Sequence, residues 1–67
     1  MNIILNNNIE QIEADSIVVT DLLRIKNFTF KMLVVKINGT LVKKSDYEKT
    51  AIHEGDDVMV LHLISGG

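Results

Sequence analysis

Apolar and polar positions alternate with two different periods along the chain. "MNIILN" (1–6) is a short apolar run with two adjacent isoleucines and suits a strand. "NNN" (6–8) is turn chemistry, since asparagine tolerates the left-handed region and bonds its own backbone. "IEQIEA" (9–14) returns as a mostly polar strand at an exposed edge, so the first two runs predict a hairpin. The period then changes. Val18, Leu22 and Ile25 fall at i, i+4 and i+7, with Val19 and Leu23 beside them, which predicts a helix over about 17–26. Asp15 or Ser16 is placed to cap its start and Asn27 to stop it. Its valines lower the intrinsic propensity, so this helix should depend on packing. "NFTFK" (27–31) reads as a connector, with Phe28 and Phe30 placed to lid one end of a core.

"MLVVKINGTLV" (32–42) carries the clearest local signal. Two β-type runs flank Asn38-Gly39, the pair that best fits a type I′ hairpin turn. "KKSDYEKT" (43–50) is polar and turn-rich, with Tyr47 placed to fold its ring onto the edge of the core. "HEGDD" (53–57) reads as a tight turn in which Gly55 takes a positive φ and Asp56 caps. "VMVLHLI" (58–64) is apolar on both faces and predicts a central strand. The order β-β-α-β-β-loop-β predicts an α+β layout, a mixed sheet of four or five strands packed on one main helix.

The last strand bears on function. Alternation puts Val58 and Val60 on one face and Met59, Leu61 and Leu63 on the other. One helix covers one face of a sheet, so the second set, with Val34 from the neighbouring strand, predicts an exposed apolar patch. Such a patch often marks a protein interface; partial cover by loops is the alternative.

Composition narrows the possibilities. With 67 residues, one domain (1–67) is expected, burying about 60% of the surface of its unfolded chain, so a large catalytic cleft is not expected. The three aromatics, Phe28, Phe30 and Tyr47, leave the core to Ile, Leu and Val. A net charge of −2 with no basic stripe gives no nucleic-acid footprint. The absence of cysteine excludes disulfides, thiolate metal sites and cysteine nucleophiles. No apolar run approaches the roughly 20 residues that span a bilayer, and the start has no basic segment of a signal peptide, so a cytoplasmic protein without membrane attachment is expected.

Side-chain chemistry is sparse. His53 and His62 are the only histidines, one in a turn and one in a strand, and no metal site is expected from them. The acidic residues of "HEGDD" lack the spacing of an EF-hand loop. Lys43, Lys44 and Lys49 alternate with Asp46 and Glu48 as a solvated face does. There is no Ser/His/Asp or Cys/His set and no glycine-rich phosphate loop, so the chain is not expected to be an enzyme or to hold a resident cofactor.

The pair Gly66-Gly67 stands apart. At about 7% average usage, two given positions are both glycine by chance only about 0.5% of the time. A tail without side chains is slim, adopts almost any backbone angle, and can thread a narrow channel in another protein. A free carboxylate at its end is a poor electrophile until activated; adenylation by ATP would make it a mixed anhydride that a sulfur donor can attack.

With these features in place, the chain resembles the β-grasp sulfur carrier proteins, closest to the ThiS family of thiamine biosynthesis. The resemblance runs nearly end to end: the N-terminal hairpin, "VTDLL" (19–23), "VVKINGTLV" (34–42), and "EGDDVMVLHLISGG" (54–67). It departs where family members often carry Pro-Arg and then Trp, positions that read Lys43-Lys44 and Tyr47 here. It departs again at the helix cap, often Ser or Thr, where Val18 stands. The resemblance implies a ubiquitin-like β-grasp fold with a flexible tail at about 65–67. It implies that Gly67 is adenylated by an E1-like (ThiF-like) adenylating enzyme that uses ATP. Gly67 is then converted to a thiocarboxylate with a sulfur donor protein and delivers sulfur to a thiazole synthase (ThiG-like). Gly66 would keep the tail thin, and Met59, Leu61 and Leu63 would form the docking patch. The alternatives are a carrier like the small subunit of molybdopterin synthase, or a ubiquitin-like modifier or interaction module.

Overall fold

The computed structural model of the protein describes residues 1–29 and 32–63. Its first strands are β1 (Asn2–Leu5) and β2 (Asn8–Gln11), paired antiparallel. The two-residue turn between them is Asn6-Asn7, with φ of 49° and 69°. Both are left-handed, as a type I′ turn requires. Asn6 does more than turn the chain, because its side-chain Oδ1 accepts a hydrogen bond from the Val60 amide at 2.8 Å.

A short strand, β3 (Ser16–Val18), precedes the helix α1 (Val19–Ile25). Here the structure corrects the sequence reading, which begins the helix at about 17 with Asp15 or Ser16 as cap. Residues 16–18 instead pair antiparallel with β6 (Ala51–His53), a strand that the sequence reading leaves within a loop. Both segments have three residues, too few to display a period. The helix N-cap is Val18, with no side-chain cap bond. Backbone carbonyls replace it: the Val19 amide donates to Thr50 O at 3.0 Å and the Thr20 amide to Tyr47 O at 3.1 Å. The first orphan donors of the helix are thus satisfied by the polar 43–50 segment.

At the other end Asn27 stops the helix, as its sequence position predicts, with φ of 58°. The Phe28 amide reaches back to Leu23 O at 2.8 Å and the Asn27 amide to Arg24 O at 3.1 Å. That is a Schellman motif with asparagine in the left-handed position. It turns Phe28 back over Leu23, and both pack against the core. The expected partner lid, Phe30, lies outside the described residues.

The strands β4 (Leu33–Ile37) and β5 (Thr40–Val42) form the predicted hairpin, with Asn38 at φ 51° and Gly39 at φ 83°. A single 3-10 turn (Lys44–Asp46) and the half-buried Tyr47 follow. The last strand is β7 (Asp57–His62). The main sheet has five strands in the order β2-β1-β7-β4-β5, with β7 central, parallel to β1 and antiparallel to β4. This mixed sheet on one helix is the β-grasp arrangement.

The core lies between helix and sheet. Val19 and Leu22 from the helix meet Ile3, Leu5, Val35, Val42, Ile52, Val58 and Val60, with Ile12 closing one end. Each fully buried aliphatic side chain contributes roughly 1.5–3 kcal/mol. Lys26 at the helix end pairs with Glu10 on β2 at 2.6 Å. Among the described residues no buried side-chain polar atom lacks a partner.

Two stability predictions follow from this arrangement. Ile52, fully buried, and Ile9, 80% exposed, separate core from surface. In urea denaturation Ile52→Ala should cost about 2–5 kcal/mol, and Ile9→Ala no more than about 0.5 kcal/mol. Equal effects would mean that β6 does not belong to the core. Gly55 has φ 82° and open space where a Cβ would stand. The cost of Gly55→Ala should therefore be purely conformational, about 1–2 kcal/mol, with Gly55→Asn costing less because asparagine visits this region more readily.

Candidate functional site on the open sheet face

The two faces of β7 have different fates. Val58 and Val60 point into the core, at 0% and 7% exposure. Met59 is half-buried and Leu61 is 43% exposed on the face that α1 does not cover. Register supplies their neighbours. Val34 on β4 lies opposite Leu61, and Lys36 opposite Met59. On the far side of β4, Leu41 lies opposite Lys36. On the other flank Ile4 of β1 lies opposite Asp57, and Ile9 of β2 opposite Ile4. The result is an apolar band across all five strands, with Lys36 set into it. A shallow groove of about 180 Å³ runs between Lys36, Gly39, Asp57, Met59 and Leu61.

Met59, Leu61 and Val34 thus come together on one face, as alternation predicts. Leu63 keeps different company. The strand ends at His62, and the Leu63 amide donates to Met32 O at 2.9 Å. Leu63 lines a second groove of about 390 Å³ with Leu23, Phe28, Met32, Leu33 and Tyr47, at the end of the sheet where the helix exit and the 3-10 turn converge. The expected three-residue row is therefore divided between two surfaces. Gly66 and Gly67 lie outside the described residues.

Ile4 and Leu41 belong to the open face but are not candidates from the sequence alone. The signal for Ile4 exists, because Ile3 and Leu5 flank it and are buried. Placing it beside β7, however, requires the parallel β1–β7 pairing, which no local pattern reveals.

The acidic turn is organised for structure. The Asp56 carboxylate accepts from the His53 amide at 2.8 Å and from Asn38 Nδ2 at 3.1 Å. Glu54 accepts from the Asn2 amide at 2.9 Å. The Glu54 and Asp56 carboxylates are thus engaged in holding one turn against its neighbours, the role that the sequence assigns to Asp56. Among the described residues no three His, Asp or Glu side chains gather as metal ligands would. No described helix is long and apolar enough to cross a membrane.

Known proteins show the same arrangement. The ThiS family model matches residues 3–67. The crystal structure of the thiamine biosynthesis protein (ThiS) from Geobacter metallireducens superposes with a TM-score of 0.90 at 28% identity, covering 100% of both chains. The NMR solution structure of a thiamine biosynthesis protein from Geobacter metallireducens gives 0.81 at 28% identity, covering 100% of this chain and 88% of that one. No curated protein matches the chain. A family match over nearly all the residues, joined to a superposition over the full chain, leads to one conclusion: the chain belongs to the ThiS family.

Proposed function

We propose that the protein is a thiamine-biosynthesis sulfur carrier, a co-substrate rather than an enzyme, whose reactive group is the carboxylate of Gly67. The observation that carries this reading is a family match that runs through Gly66-Gly67. In the proposed cycle the carboxylate attacks the α-phosphorus of ATP on an adenylating enzyme and pyrophosphate leaves. The acyl-adenylate is an activated acyl group. Sulfide (HS⁻), delivered already reduced by a donor protein, adds to its carbonyl carbon and AMP departs, leaving a thiocarboxylate. A thiazole synthase then takes the sulfur.

This chemistry asks little of the domain beyond presentation. It needs a tail thin enough for a channel, which glycine provides, and a surface by which a partner holds the domain. The open face around Met59 and Leu61 supplies an apolar centre, and Leu63 extends contact toward the end of the sheet. A partner that covers Leu61 excludes water from it, and such anchors carry most of the energy of an interface.

Mass spectrometry after co-expression with the matching adenylating enzyme and a sulfur source tests the tail. One oxygen of Gly67 should be replaced by sulfur, and deletion of Gly67 should abolish that shift while changing stability by no more than about 0.5 kcal/mol. A lysine-linked adduct instead would identify a ubiquitin-like modifier. Leu61→Asp tests the face. Calorimetric titration against the adenylating enzyme should show affinity reduced at least ~10-fold, while urea denaturation shifts by less than about 1 kcal/mol, since Leu61 is not in the core. Unchanged affinity would remove Leu61 from the docking surface.

A further inference from the structure

Asn38-Gly39 is the one Asn-Gly pair in the chain. Such a pair is chemically vulnerable for a steric reason. The backbone nitrogen of the following residue can attack the asparagine Cγ, and glycine places no Cβ in its way. Asn38 and Gly39 are both exposed, so water reaches them freely.

The side chain is nevertheless held at both ends. Asn38 Oδ1 accepts from the Asp57 amide at 2.9 Å, and Nδ2 donates to Asp56 Oδ1 at 3.1 Å. The Asn38 amide also donates to Asp57 O at 2.7 Å. Asp56 is itself fixed, because its second oxygen accepts from the His53 amide at 2.8 Å. Bringing Cγ onto the Gly39 nitrogen means rotating the amide and breaking both side-chain bonds.

We propose that Asn38 is a site of non-enzymatic deamidation that the native fold holds closed, with Asp56 and the Asp57 amide as the latch. When the latch opens, the Gly39 nitrogen loses its proton and bonds to Cγ. The amide nitrogen leaves as ammonia, and a five-membered succinimide remains. Water then opens the ring at either carbonyl, giving aspartate or isoaspartate; the net change is one water consumed and one ammonia released, with no oxidant or reductant.

Either product disturbs the same place. Aspartate sets a carboxylate against Asp56 where a donor had been. Isoaspartate lengthens the backbone within a two-residue turn, so the register of Ile37 with Thr40 and Val35 with Val42 cannot be kept. The turn borders the groove of Lys36, Gly39, Asp57, Met59 and Leu61, so the modification adds negative charge beside the open face.

The test uses the full chain in mildly alkaline buffer, native and in urea, followed by intact mass and by peptide mapping that distinguishes isoaspartate. The site should be Asn38, and the native rate at least ~10-fold below the unfolded rate, as expected when reaction follows a local opening. Asp56→Ala, confirmed as folded by circular dichroism, should deamidate several-fold faster than the native protein. Asp56→Asn keeps one accepting oxygen for Asn38 but sets its NH2 against the His53 amide, so its rate should fall between those of the native protein and Asp56→Ala. No deamidation at Asn38 in urea, equal native and unfolded rates, or a folded Asp56→Ala no faster than the native protein would each overturn the proposal. If Asp56→Ala does not fold, the native-to-unfolded ratio decides alone.

Discussion

The structure depends on β7 being hydrogen-bonded on both edges while only one of its faces is covered by the helix. β4 pairs with it from Val58 to His62, whereas β1 pairs only at Asp57 and Val58, and the Asn6 side chain takes the Val60 amide beyond them. Val58 and Val60 are drawn into the core because α1 lies over them with Val19 and Leu22. Met59 and Leu61 are left outward by the same pleat, on the face that α1, the one α-helix among the described residues, does not cover. The apolar face is therefore a geometric consequence of fitting one helix to a five-stranded sheet. Apolar side chains on an uncovered face are the usual mark of a surface for a partner.

The turns keep β7 in register, and asparagine is the residue that makes them. Asn6, Asn7, Asn27 and Asn38 all adopt positive φ, which costs most other side chains about 1–2 kcal/mol. Two of them add a side-chain bond to a β7 amide: Asn6 Oδ1 to Val60 and Asn38 Oδ1 to Asp57. These bonds come from opposite flanks of the strand, one through the β1–β2 turn and one through the β4–β5 turn. A chain with no proline thus fixes its loops by hydrogen bonding rather than by ring constraint. The same choice leaves an Asn-Gly bond in the structure, so the device that secures register also carries a chemical liability that the register must suppress.

What the sequence reveals and what it hides divide along physical lines. Asn38-Gly39, Gly55-Asp56, the Asn27 stop and a central last strand, read at 58–64 and observed at Asp57–His62, are legible because each rests on a local rule, a positive φ or a two-sided apolar run. The pairing of Ser16–Val18 with Ala51–His53 is not legible, since it joins two three-residue segments far apart in the chain. Ile17 and Val18 also continue the helical spacing of Leu22 and Ile25, so the period favours the wrong element there. The missing Ser or Thr cap has the same origin: carbonyls of Tyr47 and Thr50 do the work, and no motif near Val18 announces them. For the open face, alternation within β7 yields Met59 and Leu61, but Ile4 and Leu41 enter only through the order of strands. Leu63 shows the limit of alternation, which describes a paired strand and lapses where β7 ends at His62.

The place of the open face in the sheet bears on how a partner would hold the domain under the proposed function. The last strand, β7, is central in the sheet and not at an edge. The apolar band from Ile9 to Leu41 crosses β7 obliquely, level with Asp57 on the β1 side and with Met59 on the β4 side. Under the proposed function, one docking event can therefore test the face and take up the glycines, with binding energy drawn from side chains and chemistry confined to a segment that has none. A tail of bare glycine offers little to recognise on its own, since it can neither bury apolar area nor present a charge before its carboxylate. Specificity then has to reside on the folded surface. The one cation set into the apolar band, Lys36, gives that surface a polar feature by which one partner can be told from another.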